Sequence, residues 1–195
     1  SRTSTLKILV IDENAIRASI IEEGLNEAGH LNVKVIHEMQ GVARLIETMD
    51  PDVIIIDIEN PNRDMMEHMF QLTRMISRPI AMFVDRSDTA AIEAAVDAGV
   101  SAYVVDGLKK ERIKPILDMA VSRFNAFSRL QRELFEARNA LEERKVIERA
   151  KGILMKMRGL SEEQAFALLR QTAMNEKKKL AEIAQSVVTA AGLLL

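Results

Sequence analysis

Between Lys7 and Val105 the chain alternates short apolar runs with longer stretches in which apolar residues recur three and four positions apart. The short runs are Lys7–Ile11, Val33–Ile36, Val53–Asp57, Ile80–Val84 and Ala102–Val105. They are too short for helices, they are rich in Val and Ile, and three of them are almost wholly apolar. Strands covered on both faces of a parallel sheet have this composition. Between them Ile16, Ile20, Leu25 and Ala28, and again Ile92, Ala95 and Val96, keep helical spacing. Gly29 is placed to end the first helix, Asp50-Pro51 to precede the third strand and Gly99 to precede the fifth. Five strand–helix repeats predict a doubly wound parallel α/β sheet in three layers over residues 1–121.

From about Leu108 the strand signal stops. Residues 112–158 hold Gly152 as their one glycine and Pro115 as their one proline, which a first helical turn tolerates. Phe127, Leu130, Leu134, Ala137 and Leu141 alternate spacings of three and four, the seam of a coiled coil. Arg144 interrupts the seam, and Ile147, Ala150, Leu154 and Met157 resume it with a shift. A seam this short needs help from flanking domains, so residues 122–142 read as a linker helix that pairs with a second copy. Gly159 stops this helix, and Ser161-Glu-Glu-Gln164 forms a capping box for the next, which runs to about Met174 with Ala165, Phe166, Leu169 and Ala173 on its apolar face. A last helix carries Leu180, Ile183, Ala184, Val187 and Val188 at i, i+3, i+4, i+7 and i+8. Two such short helices must pack on the end of the long one, so residues 143–195 form an all-α three-helix domain.

Composition narrows the functional classes. Apolar residues make up 48% and charged residues 29%, which calls for a packed core. No apolar run nears the ~20 residues of a membrane span, Ser1–Lys7 lacks the apolar centre of a secretory signal, and there is no cysteine. A cytoplasmic protein without disulfides or thiolate metal sites is the expectation. Residues 1–121 hold 13 Lys/Arg and 20 Asp/Glu, a net of −7, whereas residues 122–195 hold 14 and 9, a net of +5. The asymmetry directs a polyanion to the tail, unless its charges are simply a solvated helical surface.

Ligands of open parallel sheets bind outside the carboxyl ends of the strands. Asp12 and Glu13 end the first strand and Asp57 ends the third, so an acidic pocket is expected there. Asp12 and Asp57 could hold Mg²⁺, with Asp57 as a phosphoryl acceptor; the alternative is that they cap helices or face solvent. The stretches Lys7-Ile-Leu-Val-Ile-Asp-Glu13 and Asp52-Val-Ile-Ile-Ile-Asp57 resemble the receiver domain of two-component response regulators, over roughly residues 6–120, which implies a flavodoxin-like sheet. Active receivers resemble one another in a hydroxyl residue ending the fourth strand and a lysine ending the fifth. Here those positions are Val84 and Asp106. An anion where a cation should neutralise the phosphoryl group reverses the electrostatics of transfer. Ser87 lies near enough to stand in for the hydroxyl, but nothing evident replaces the lysine, so a pseudo-receiver whose input is not phosphorylation is expected.

In the tail, Lys145, Arg149, Gly152 and Lys156 gather opposite the apolar face of Val146, Ala150, Ile153, Leu154 and Met157. A helix-interior glycine costs ~1 kcal/mol and marks a close approach, here by a phosphate or a base edge, or else by another helix. Lys151 flanks the apolar face, Arg170 lies on the second helix, and Lys178 sits in the Lys177–Lys179 cluster. Ile147-Glu-Arg-Ala-Lys-Gly-Ile-Leu-Met155, Ser161–Arg170 with Ala173-Met174, and Leu180-Ala-Glu-Ile-Ala184 together resemble the ANTAR domain, the RNA-binding module of transcription antiterminators. Asp57–Asp64 and Phe83–Asp88 are similar to the nitrate-assimilation, NasT-type subgroup.

The resemblance implies a homodimer that binds paired stem-loops in an mRNA leader and so prevents a terminator from forming. It implies no required cofactor. It also implies a solute-binding-protein-like sensor that releases the regulator in response to nitrate or nitrite. Lys145, Arg149, Lys151, Gly152, Lys156, Arg170 and Lys178 are its candidate RNA contacts. The alternatives are a phosphorylation-driven regulator binding DNA, against which Val84, Asp106 and the lack of an evident recognition helix speak, and a protein-interaction adaptor. No nucleophile–base pair or phosphate-binding glycine loop marks an enzyme. His30, His37 and His68 are widely spaced and read as structural or surface residues, and most of the 11 methionines as core filler.

Overall fold

The computed structural model describes residues 5–194. Five parallel strands, β1 (Ile8–Asp12), β2 (Val33–Ile36), β3 (Val53–Ile58), β4 (Ile80–Val84) and β5 (Ala102–Val105), form one sheet in the order β2-β1-β3-β4-β5. Each begins and ends within a residue of the run that predicted it. Helices α1 (Ala15–Glu27), α2 (Val42–Met49), α3 (Arg63–Arg74) and α4 (Thr89–Asp97) connect them, and α5 (Lys110–Arg158) follows β5.

The sheet is buried on both faces because β4 is wholly apolar and β1 and β3 are apolar at every position but Asp12 and Asp57. On one face Leu9, Ile11, Ile54, Ile56 and Met82 meet Val42 of α2, Met66, Met69 and Phe70 of α3 and Ala95 of α4. On the other, Ile8, Val10, Ile55 and Phe83 meet Ile21 and Leu25 of α1 and Ile113, Leu117 and Ala120 of α5. A Cβ on Gly24 would lie 2.8 Å from Ile113 Cγ1 and 3.0 Å from the Lys110 carbonyl oxygen, so this glycine lets α1 and the start of α5 touch closely.

Helical period was legible in α1 and α4, and phase in part: Leu25 and Ala95 are buried as expected, but not every residue of either pattern is. Ile16 is 77% exposed while Ala18, Ile21 and Leu25 are buried, and Val96 is exposed while Ala95 is buried. Pro115 does not open a helix: α5 starts five residues earlier, and the proline removes a bond to the Glu111 carbonyl inside the second turn. Five methionines (Met75, Met119, Met155, Met157 and Met174) are exposed, so methionine fills the core less completely than expected.

The chain divides into two compact units, one ending at Ser128 and the other beginning at Arg129. The second contains the end of α5, α6 (Glu162–Glu176) and α7 (Leu180–Leu194). Gly159, at φ +66°, follows the last residue of α5. Ser161 Oγ accepts the Gln164 N–H while Gln164 Oε1 accepts the Ser161 N–H, which completes the expected capping box. Helix α6 runs two residues past the predicted end. Ala150, Leu169, Ala173, Ile183 and Ala184 form a small core, with Val146, Ile147, Leu154, Leu180, Val187 and Val188 against it. Ile147 packs there with Ala150 and Leu154 as the seam predicts, whereas Met157 is 57% exposed.

Candidate nucleic-acid interface and strand-end pocket

Parallel register places Asp12 beside Asp57. Strand alternation puts both side chains on the face that packs against α1 and α5, in line with Val10 and Ile55. Both are buried, whereas Glu13 is exposed and lines the same cavity as the pair. Asn14 organises the turn between β1 and α1. Its N–H donates to Asp12 Oδ1 at 2.9 Å, its Nδ2 donates to Glu59 Oε2 at 2.7 Å, and its Oδ1 accepts the N–H groups of Ile16 and Arg17 to cap α1. His37 Nδ1 lies 2.8 Å from the Asp12 carbonyl oxygen, a structural role of the kind expected for a histidine here.

Asp57 is not free. Arg17 Nε donates to Asp57 Oδ2 at 2.6 Å and Arg17 Nη2 donates to Asp57 Oδ1 at 2.9 Å, while the same Nη2 lies 3.1 Å from Asp85 Oδ1. A bidentate, charge-assisted fork of this kind is among the strongest polar contacts a protein makes. The expectation that nothing replaces the missing lysine is therefore corrected: the cation comes from the first turn of α1. Asp57 holds the guanidinium proton above its ordinary range. Asp12 is pushed up to about 7, first by burial and then by the neighbouring Asp57 carboxylate. Val84 is buried, and Asp106 is exposed at φ +50°. Ser87 supplies no hydroxyl to Asp57, because its Oγ is 2.8 Å from the Tyr103 hydroxyl.

These residues do not fit a divalent cation as they stand. Both oxygens of Asp57 are engaged by Arg17, Asp12 Oδ1 accepts a backbone N–H, and no group of three His, Cys, Asp or Glu side chains among the described residues is arranged to hold a metal ion. The Mg²⁺ expected between Asp12 and Asp57 therefore has no ligand set in this arrangement.

In the tail, Lys145, Arg149, Gly152 and Lys156 are all exposed on one side of α5. Lys145 pairs with Glu142 at 3.1 Å. Arg149 and Lys156 make no ion pair among the described residues. A Cβ on Gly152 would meet no atom within 4 Å, so no neighbouring helix in the chain requires this glycine. Arg170 is exposed, with its guanidinium 5.9 Å from the centre of the Phe166 ring. Lys178 is exposed and lies 3.7 Å from Glu176.

Lys151 differs from the other basic residues. Its side chain is 10% exposed, and its Nζ lies 3.0 Å from Glu148 and 2.9 Å from Glu162 and over the Phe166 ring at 5.7 Å. Glu162, then Glu148, raises its pKa. Lys151 fastens α6 to α5 with two of its three ammonium donors, which sets it apart from the exposed basic residues. Sequence reasoning missed Arg17, Asp85 and Phe166. The available signal for Arg17 was its place five residues beyond Asp12, the acidic end of β1, in the first turn of a helix that starts at the pocket.

A parallel sheet of this order with carboxylates at the strand ends fits a receiver, and it is followed by a basic three-helix tail. Residues 8–118 match the response regulator receiver domain and residues 136–188 match the ANTAR domain. The chain belongs to this family of ANTAR response regulators. It is 30% identical to the transcriptional regulatory protein PdtaR of Mycobacterium tuberculosis (strain ATCC 25618 / H37Rv), over 95% of this chain and 91% of that protein. It is 38% identical to the nitrate regulatory protein of Klebsiella oxytoca over 80 residues, which are 41% of this chain and 20% of that protein. A CheY-like receiver domain from Methanospirillum hungatei JF-1 shares the fold, with a TM-score of 0.53 at 16% identity over 63% of this chain and 98% of that one. No helix is long and apolar enough to cross a membrane among the described residues. The protein is a regulator with an RNA-binding domain.

Proposed function

We propose that this regulator acts as a transcription antiterminator, binding two linked stem-loops of an mRNA leader as a homodimer and preventing a terminator hairpin from forming. The observation that carries the reading is the stripe of Lys145, Arg149, Gly152 and Lys156, exposed on α5 with open space where a Gly152 side chain would be. Hairpin loops present unpaired bases whose edges and faces A-form duplex hides, so a small basic surface can read them. One such surface makes few phosphate contacts and binds weakly alone. Two surfaces on one dimer gain through effective concentration when the loops are linked.

The dimer is supported by the seam of α5. Phe127, Leu130, Leu134 and Leu141 are each more than half exposed in the single chain. Apolar side chains at coiled-coil spacing are stabilised by about 1.5–3 kcal/mol each when a partner helix buries them. The nitrate regulatory protein of Klebsiella oxytoca supports a role in nitrate or nitrite assimilation, and with it a sensor of solute-binding-protein type as the controlling partner.

A direct test measures binding of the purified full chain to RNAs selected from a library of paired hairpins. Comparators are the same hairpins singly, scrambled RNA and duplex promoter DNA, with terminator read-through followed in a transcription reaction. Preference for linked hairpins with increased read-through is the expected result. Equal binding to all RNAs overturns the stem-loop reading, and preference for duplex DNA transfers the protein to the DNA-binding class.

A further inference from the structure

We propose that Arg17 is a tethered cation occupying the place where a receiver pocket would take a divalent metal ion, and that it closes the strand-end pocket to Mg²⁺. Four observations support this role, and none of them depends on RNA binding.

First, the Arg17 fork consumes both Asp57 oxygens, at 2.6 and 2.9 Å, and its shared Nη2 reaches Asp85 at 3.1 Å. One guanidinium thus bridges two carboxylates, as a hard cation would. Second, the pairing is buried at its acceptor, since the Asp57 side chain has no exposed surface. A dry carboxylate requires a compensating cation, and among the described residues Arg17 is the one ion-paired to it. Third, the residue at the end of β5 is Asp106, so the usual cationic partner is absent and the balancing charge has to come from elsewhere. Fourth, Asp12 Oδ2 is buried without a hydrogen-bond partner, the one such side-chain atom among the described residues. Asp12, as a residue, lines a cavity of about 450 Å³ together with Asp57, Glu13, Glu59 and Asn60.

Removal of Arg17 would leave two Asp57 oxygens and one Asp12 oxygen available beside that cavity. Three carboxylate oxygens plus water suit an octahedral Mg²⁺ or Mn²⁺. Arginine is well suited to the opposite task. It stays charged at any physiological pH, and its planar fork matches a carboxylate in a way lysine cannot. The turn that presents it is wired in place through Asn14, which caps α1 on the Arg17 and Ile16 N–H groups and ties the turn to Glu59.

The test uses the full chain and Mn²⁺ as a spectroscopic probe, with Mg²⁺ as competitor. Wild-type protein is expected to leave Mn²⁺ free at millimolar concentration, and Arg17→Met to bind it about tenfold or more tightly. Arg17→Lys should fall between the two, and Arg17→Met/Asp57→Asn should lose the gain. Equal binding by wild type and Arg17→Met, or no binding by either folded protein, overturns the proposal. Should Arg17→Met fail to fold, Arg17→Lys takes its place in the comparison, and binding no tighter than wild type overturns the proposal. The Arg17 Nε–H resonance should be protected from exchange and unmoved through a Mg²⁺ titration, and its loss or displacement by Mg²⁺ overturns the tethered cation. Each of these outcomes can be read without RNA.

Discussion

Substituting Gly152 by alanine separates three explanations of that glycine by the sign of two measurements. An alanine Cβ at this position meets no atom of the chain within 4 Å, so the substitution adds no clash. Replacing glycine by alanine in a helix interior should then stabilise α5 by about 1 kcal/mol. For a unit of this size that corresponds to a rise of about 4–8 °C in the Tm of the tail transition, measured by circular dichroism on the full chain. If a phosphate or base edge approaches at Gly152, the same methyl group stands in its way. Affinity for a paired-hairpin RNA should fall by about tenfold, or ~1.4 kcal/mol, measured by fluorescence anisotropy at fixed salt. Gly152→Leu should lose more affinity with little further change in Tm. A lower Tm for Gly152→Ala would mean that the glycine serves packing. A higher Tm with unchanged RNA affinity would mean that it is merely tolerated, and either result refutes a close approach by RNA.

Three further outcomes are expected from the same geometry. Lys151→Ala should lower the Tm of the tail, because it removes two ion pairs and the contact over Phe166, while Lys151→Met should retain most of the packing. If RNA affinity in the folded Lys151→Ala protein drops as far as in an Arg149→Glu/Lys156→Glu variant, Lys151 is a contact residue after all. Leu130→Asp/Leu134→Asp places charges on the α5 seam and should convert dimer to monomer in sedimentation equilibrium, reducing affinity for linked hairpins to that for one hairpin; a persistent dimer sinks the coiled-coil assignment. Asp12, held near pH 7 in the native pocket against a value near 4 when unfolded, binds more protons folded than unfolded between those limits. Its contribution to stability should therefore decline as pH rises from 4 to 7, by up to about 1.4 kcal/mol per unit. Chemical denaturation of Asp12→Asn should show a flatter profile than wild type, and superimposable profiles contradict the assigned shift.

Much of the fold was legible because its signals are local. The five strands are short β-branched runs, and Gly29, Gly159 and the Ser161–Gln164 box act within a few residues of themselves. Phase and pairing were less legible because they depend on what lies across the sheet. Ile16 and Val96 fit a helical period but face solvent, since burial of α1 and α4 is decided by Ile21, Leu25 and Ala95 meeting the strands. Pro115 resembled a helix start under a rule that sees only its neighbours, whereas packing of Ile113 against Gly24 draws α5 back to Lys110. In the strand-end pocket, Asp12 and Asp57 could be read from strand ends. Arg17 could not, because its partner lies 40 residues away and is reached only after β1 and β3 pair in register. In the tail, Arg149, Gly152 and Lys156 lie where helical geometry put them. Lys151 is held inward by two glutamates, one of them in the next helix, and helical position alone does not show that pairing.

The long helix has a stretch that belongs to neither core. Sheet packing on α5 extends through Ala120 with Val121 beside it, the three-helix core begins at Val146, and every residue from Arg129 to Lys145 is exposed. A splice in that interval leaves both hydrophobic interiors whole and alters helical phase, by about 100° per residue gained or lost, together with the spacing of the seam at Leu130, Leu134 and Leu141. Different sensory heads could therefore be grafted onto one RNA-reading tail by recombination within a few dozen base pairs, provided the graft preserves phase.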